Sequence, residues 1–214
     1  MHTKATLFER VSAPDSGVLE RLDADTLSQR IVTGAFDEIA THGWQRMTMH
    51  NVAKRSGLGR ATVYRRFPSK DDLLEAVVLS EMRKYLAANA VARVGLSHEQ
   101  DRIAESAAFA VEYLRAHPLL NRMLETEPET LVPSLTSSAL IGFAREFIAG
   151  MWRQEIHGDE PITAERAQHL KAVAEIHVRL TLSFLVSQDS AIPLATGEDA
   201  RTFARRYLAP LLTA

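Results

Sequence analysis

GLGRATVYRRFPSK, Gly57 to Lys70, is the stretch on which the reading of this chain turns. It holds Arg60, Arg65, Arg66 and Lys70 and no acid, within a protein of formal net charge −2. Gly57 can take a left-handed turn without steric cost, and Pro68 cannot continue a helix. The punctuation predicts a short helix over 60–66 that buries Val63 and Phe67, one turn apart. Upstream, Thr48 is placed to cap another short helix with Met49, Val52 and Ala53 inward, ending at Ser56-Gly57. Two short helices around a glycine-bearing turn have the form of a helix-turn-helix. Downstream, Ser69 is placed to cap a longer helix, with Asp71 and Asp72 where the helix dipole favours negative charge.

If Val63 and Phe67 face inward, the opposite face of that helix offers Arg60, Ala61, Thr62, Tyr64 and Arg65. Small residues let a backbone approach a groove, and arginine grips guanine or phosphate bidentately. Lys70 and Thr48, each at a helix start, are placed to meet phosphate. Seven basic residues and no acidic one lie between Trp44 and Lys70. Charge is segregated along the chain: residues 1–70 carry 11 Lys+Arg against 7 Asp+Glu, residues 71–214 carry 14 against 20. A polyanion partner for the N-terminal part alone follows. A carboxylate in the 57–70 stretch would face a phosphate.

These residues resemble the signature of the tetracycline-repressor (TetR) family of bacterial regulators. The pattern is Thr48, Val52-Ala53, Ser56-Gly57-Leu58, Thr62-Val63-Tyr64, Phe67, Ser69-Lys70-Asp71 and Leu73, within residues 26–77. Gly59 stands where the family usually has Ser or Thr, Ala61 where it often has Gly, and Arg66 where it often has His. The resemblance implies a DNA-binding head, a helical body that takes a small-molecule effector, and a homodimer built on the last two helices. The closing RRYLAPLL after a long helix fits that scheme more loosely.

The rest of the chain reads as all-α, about nine helices. Residues 1–22 form an N-terminal extension, 23–77 the DNA-binding domain and 78–214 the ligand-binding and dimerisation domain. A helix from Thr26 carries Ile31, Val32, Ala35, Phe36 and Ile39 at helical spacing and stops at Gly43. Ser97 with Gln100 reads as a capping box, and that helix stops at His117-Pro118. Pro133 is read near the start of a helix reaching about Glu155. Thr163 starts a long helix, and a last one covers 198–213.

Aromatic density puts candidate effector contacts at Phe109, Tyr113, His117, Phe143, Phe147, Met151 and His177. The dimer candidates are Ala172, Ile176, Leu180 and Phe184 on the long helix, with Phe203, Tyr207, Leu208 and Leu211 on the last. The stripe ending in Leu208, Leu211 and Leu212 is expected to be exposed in a monomer. There is no cysteine, which suits a reducing cytoplasm, and no apolar run reaches the ~20 residues that span a bilayer. No Glu-x-x-His pair, Gly-x-Ser-x-Gly or phosphate loop is present. His169 and His177 stand eight apart, ~80° around a helix, a poor metal pair. The expectation is a cytoplasmic, non-enzymatic, ligand-responsive repressor without cofactor or metal, binding a palindromic double-stranded operator as a homodimer, with no membrane partner. The alternative is an all-α small-molecule-binding protein or enzyme without DNA binding.

Overall fold

The computed structural model describes residues 26–187 and 189–213. The expected N-terminal extension lies outside them. Among the described residues there are ten helices and no strand. They are α1 (Thr26–His42), α2 (Met49–Ser56), α3 (Arg60–Arg66), α4 (Lys70–Ala92), α5 (Glu99–Ala116), α6 (Pro118–Thr126), α7 (Pro128–Leu135), α8 (Ser138–His157) and α9 (Ala164–Val186). The last, α10, is continuous through Gly197–Phe203, a π-helical turn Ala204–Leu208, and Ala209–Thr213. Contacts divide the chain into two compact units. One runs to Leu86 and adds 117–137; the other holds 87–116 and everything from Ser138 on.

In the first unit, α1 packs on α2 and α2 on α3; Ile31, Val32, Ala35 and Ile39 of α1, Met49, Val52 and Ala53 of α2, Val63 and Phe67 beside the turn, and Leu73 and Val77 of α4 are all buried. Gly34 makes the α1–α2 crossing close: a Cβ there would lie 3.3 Å from both Cβ and N of Ser56. Arg30 reaches across and donates to the Ser56 carbonyl at 2.8 Å, satisfying one of the free carbonyls at the end of α2. Proline opens both α6 and α7, where the missing N–H is no loss.

The reading of Pro133 needs correction. It sits inside the short α7, and a separate helix starts at Ser138. Proline removes only one bond there, and the helix ends two residues later, where Thr136 N–H still reaches the Val132 carbonyl at 3.0 Å. The start of α5 is also shifted. Its first helical residue is Glu99, and the His98 carbonyl accepts from the Asp101 and Arg102 N–H groups.

The second unit is built on small residues of α5. Ala104 and Ala107 admit Ala204 and Leu208 of α10, while Ala108 meets Leu194 and Ala200. Ile103 joins Trp152 of α8, Leu170, Val173 and Ala174 of α9, and Leu212 of α10. A capping box of Thr196 and Asp199 starts α10, and Arg201 ties it to Glu105 of α5 at 2.6 and 3.0 Å. No helix among the described residues is long and apolar enough to cross a membrane.

Candidate nucleic-acid interface

The turn between α2 and α3 is set by one residue. Gly57 has φ +66, and its N–H and that of Leu58 close on Lys54 and Ala53 carbonyls at 3.2 and 2.9 Å. This is a Schellman end, which a side chain at position 57 would strain. Thr48 caps α2 by accepting from Asn51 N–H at 3.1 Å. Gly59 precedes α3 without any side-chain cap, which costs only a few tenths of a kcal/mol.

With Val63 and Phe67 fully buried, α3 turns Arg60, Ala61, Tyr64 and Arg65 outward, with Thr62 half-buried. Tyr64 is 47% exposed. The side chains of Arg60, Thr62, Tyr64 and Arg65 make no hydrogen bond or ion pair among the described residues. They are groups on a rigid helix whose donors are still available to a ligand.

Lys70 is different. It is half-buried at the start of α4, donates to the Gln45 carbonyl at 3.2 Å and lies over the Trp44 ring at 4.2 Å. Burial pushes its pKa below the ordinary lysine value, with Glu127 and Asp71 opposing. Next to it Ser69 and Asp72 exchange hydrogen bonds, Asp72 N–H donating to Ser69 Oγ and Ser69 N–H to the Asp72 carboxylate, each at 3.0 Å.

One support escaped the sequence reading. Glu38 of α1 is buried, and accepts from Asn51 Nδ2 at 2.9 Å and from Arg55 Nε and Nη2 at 3.0 Å each. Arg55 is therefore spent on holding α2 to α1. Asp37-Glu38 in an apolar-striped helix was the available signal, but helical periodicity alone places position 38 beside the buried Ile39 and does not name its partner.

The expected effector contacts scatter. Phe109 and Tyr113 pair one turn apart on α5, at 5.3 Å between ring centres. Met151 packs on the Trp152 core, and His177 lies against Trp152 at 5.7 Å. Burial pushes the His177 pKa down to about 4, so it is neutral at pH 7. Trp152 Nε1–H is buried without a hydrogen-bond partner among the described residues. Phe143 and Phe147 do not point into this core; both are exposed. His117 belongs to the first unit, not the second. It caps α6 by accepting from Leu120 N–H and meets Glu81 at 3.2 Å. Burial raises the Glu81 pKa, but hydrogen bonds from His117 and Lys84 outweigh it and hold the carboxyl below its ordinary value.

The dimer candidates divide into two stripes. Ala204, Leu208 and Leu212 face the core, so the expectation that a monomer exposes Leu208 and Leu212 is corrected: both are buried. Tyr207 and Leu211 remain outside, with Phe203 half-buried between α5 and Phe184 of α9. On α9, Ala172 and Ile176 are exposed and Leu180 and Phe184 half-buried. Ala172 and Ile176 also line an open cavity of about 530 Å³ with Arg145, Glu146, Gln168, Lys171, Glu175 and Arg179.

Residues 31–77 match the family described as bacterial regulatory proteins, tetR family. No curated protein matches the chain. The fold is similar to that of the TetR family repressor AlkX from Dietzia sp. strain DQ12-45-1b, implicated in biodegradation of n-alkanes. That similarity has 22% identity and a TM-score of 0.63, covering 86% of this chain and 96% of that one. It is also similar to the R. erythropolis transcriptional repressor QsdR (19%, TM-score 0.57, 92% and 95% covered). A third likeness is to the multidrug binding protein EbrR complexed with imidazole (21%, TM-score 0.57, 89% and 92% covered).

Proposed function

We propose that this chain, a transcriptional regulator of the tetR family, lays α3 in the major groove of a palindromic operator as a homodimer and is released by a small molecule. The observation that carries the DNA reading is the outward face of α3. Arg60, Thr62, Tyr64 and Arg65 hang on a helix anchored by buried Val63 and Phe67, with no acidic partner among the described residues. Thr48, Ala61 and Lys70 complete the surface: Thr48 ends a helix dipole at its positive end, and Ala61 lets the backbone come close. The alternative without DNA binding gives such a face nothing to do, and non-enzymatic regulation in the cytoplasm fits it.

The homodimer is built on α9 and α10. Arg166 donates to the Leu212 carbonyl, and Phe184 meets Phe203 at 6.0 Å, so the two helices run antiparallel. Ile176 and Tyr207 then stand at the same level, 44% and 51% exposed. With Ala172 and Leu211 they form the outer stripe that a two-fold-related copy covers. Two heads about one DNA turn apart, ~34–36 Å, match a palindrome. The effector site in the second unit is the surround of Trp152, where the unmatched indole N–H and the neutral His177 imidazole are ready to meet one polar group. Met151, packed on the same core, supplies an apolar wall.

Titration of labelled duplex DNA, random sequence first, at 50 and 200 mM salt tests the reading. Binding that weakens steeply with salt is expected. Absence of binding at low salt defeats it.

A further inference from the structure

The loop between α1 and α2 is gripped from two sides at one residue. Gln45 N–H donates to Glu127 Oε1 at 2.8 Å, and the Gln45 carbonyl accepts from Lys70 Nζ at 3.2 Å. Gly43, with φ +86, brings the loop so close that a Cβ there would lie 2.5 Å from Glu127 Oε1. Gln45 Nε2 adds a weaker contact to Glu129 at 3.4 Å.

Glu127 is 3% exposed, and its second oxygen is buried without a hydrogen-bond partner among the described residues. A buried carboxylate left half satisfied is costly, and nothing in local helix formation asks for it. As the residue joining α6 to α7, it ends one helix and starts the next without capping either by its side chain. Its carboxylate is turned instead to the loop that meets Lys70. The segment that carries it is an excursion: the chain leaves the second unit after Ala116, forms 117–137 in the first, and returns at Ser138.

We propose that Glu127 is a positioning residue for DNA binding, its carboxylate fixing the Gln45 peptide that orients Lys70 toward phosphate. The inference rests on the DNA reading above and deepens it. Lys70 is not a freely swinging cation. Two contacts, the Gln45 carbonyl and the Trp44 ring, aim its ammonium, and the loop supplying both is held by Glu127. Loss of the Glu127 contact releases the loop and takes the Lys70 contact away.

The test uses the full chain and a labelled random duplex across a salt series. Glu127→Met keeps length and apolar bulk but offers no acceptor; Glu127→Gln keeps an acceptor oxygen. Glu127→Met is expected to lower the salt slope by about 1, as Lys70→Ala does. Glu127→Met/Lys70→Ala is expected to bind within about twofold of Lys70→Ala alone, because both changes remove the same contact. Glu127→Gln should restore the wild-type slope. Hydrogen exchange at the Gln45 amide should be slow in the wild type and Glu127→Gln and fast in Glu127→Met, with thermal melts verifying folding. A wild-type slope in Glu127→Met, or losses that multiply in the double variant, overturns the inference while leaving the DNA reading intact. Should Glu127→Met not fold, a Gln45 amide that exchanges freely in the wild type overturns it, and a protected one whose protection survives in Glu127→Gln supports it. Wild type that binds no duplex defeats the DNA reading, and Lys70's orientation toward phosphate with it.

Discussion

Two charged surfaces of this molecule are organised in opposite ways. On α3, Arg60 and Arg65 stand exposed with no acidic partner among the described residues. On α8 and α9, every charge of a comparable cluster is matched. Arg145 pairs with Glu175 and Glu146, Lys171 with Glu146, and Arg179 with Glu175, at 2.7 to 3.2 Å. Hydrogen bonds from Lys171 to Glu146, and from Arg179 to Glu175, hold both carboxyls below their ordinary pKa. An arginine count does not separate the two surfaces; the position of the carboxylates does. Unmatched cations on a helix attract a polyanion, whereas a ladder in which every cation has a carboxylate partner projects a much weaker field.

The proposed dimer stripe beside the ladder offers the largest effect. Ile176→Glu together with Leu211→Glu places charge on exposed positions without touching the core. Sedimentation should shift from dimer to monomer. Operator affinity should fall by about 10²–10⁴, the gain lost when two linked heads become one. Wild type that sediments as a monomer at micromolar concentration, yet holds a palindrome tightly, removes the stripe from the mechanism.

Acid should part the two units. An imidazole titrates near 6.5 in an unfolded chain, and burial takes His177 down to about 4. Between those values the unfolded state binds more protons, so stability falls as pH falls through that window. The loss should reach about 3 kcal/mol by pH 4. Trp152 fluorescence in a Trp44→Phe background reads the second unit, and His177→Gln should flatten the dependence. An identical pH profile in that variant assigns the acid sensitivity to other groups.

The α3 face should respond to single changes as the ladder does not. Arg60→Ala should cost ~1–3 kcal/mol at one or two base positions and narrow the gap between operator and random DNA. Equal loss on both sequences would move Arg60 to the phosphate backbone. At the bottom of the scale, Arg145→Ala removes a part of the ladder that water already screens. Stability should change by less than about 1 kcal/mol and duplex affinity should stay where it was. A fall in DNA binding there would erase the contrast between the two surfaces.

The helix-turn-helix could be read at the level of residues because its instructions are local. Gly57 turns left-handed, Thr48 and Ser69 cap their own helices, and Val63 and Phe67 share one face of a helix two turns long. Each depends on neighbours within four positions, where backbone sterics and helical spacing leave little choice. The charge bias over 44–70 is likewise a property of the chain, and with it the class of partner.

What the linear order left open was the identity of long-range partners. Ala204, Leu208 and Leu212 repeat every four residues, and so do Phe203, Tyr207 and Leu211. Spacing marks both stripes as apolar, and the small face of α5 chose which one is buried. Nothing in the sequence names the partner of Arg55, which is Glu38, seventeen residues earlier. His117 looked like part of an effector pocket until Glu81 and the start of α6 took both its nitrogens. Lys70 was placed at its helix start from sequence, but its aim depends on Gln45, and Gln45 on Glu127, 82 residues further along. A side chain's rotamer and ionisation follow from whatever packing brings within a few ångströms, and hydrophobic periodicity carries no record of that.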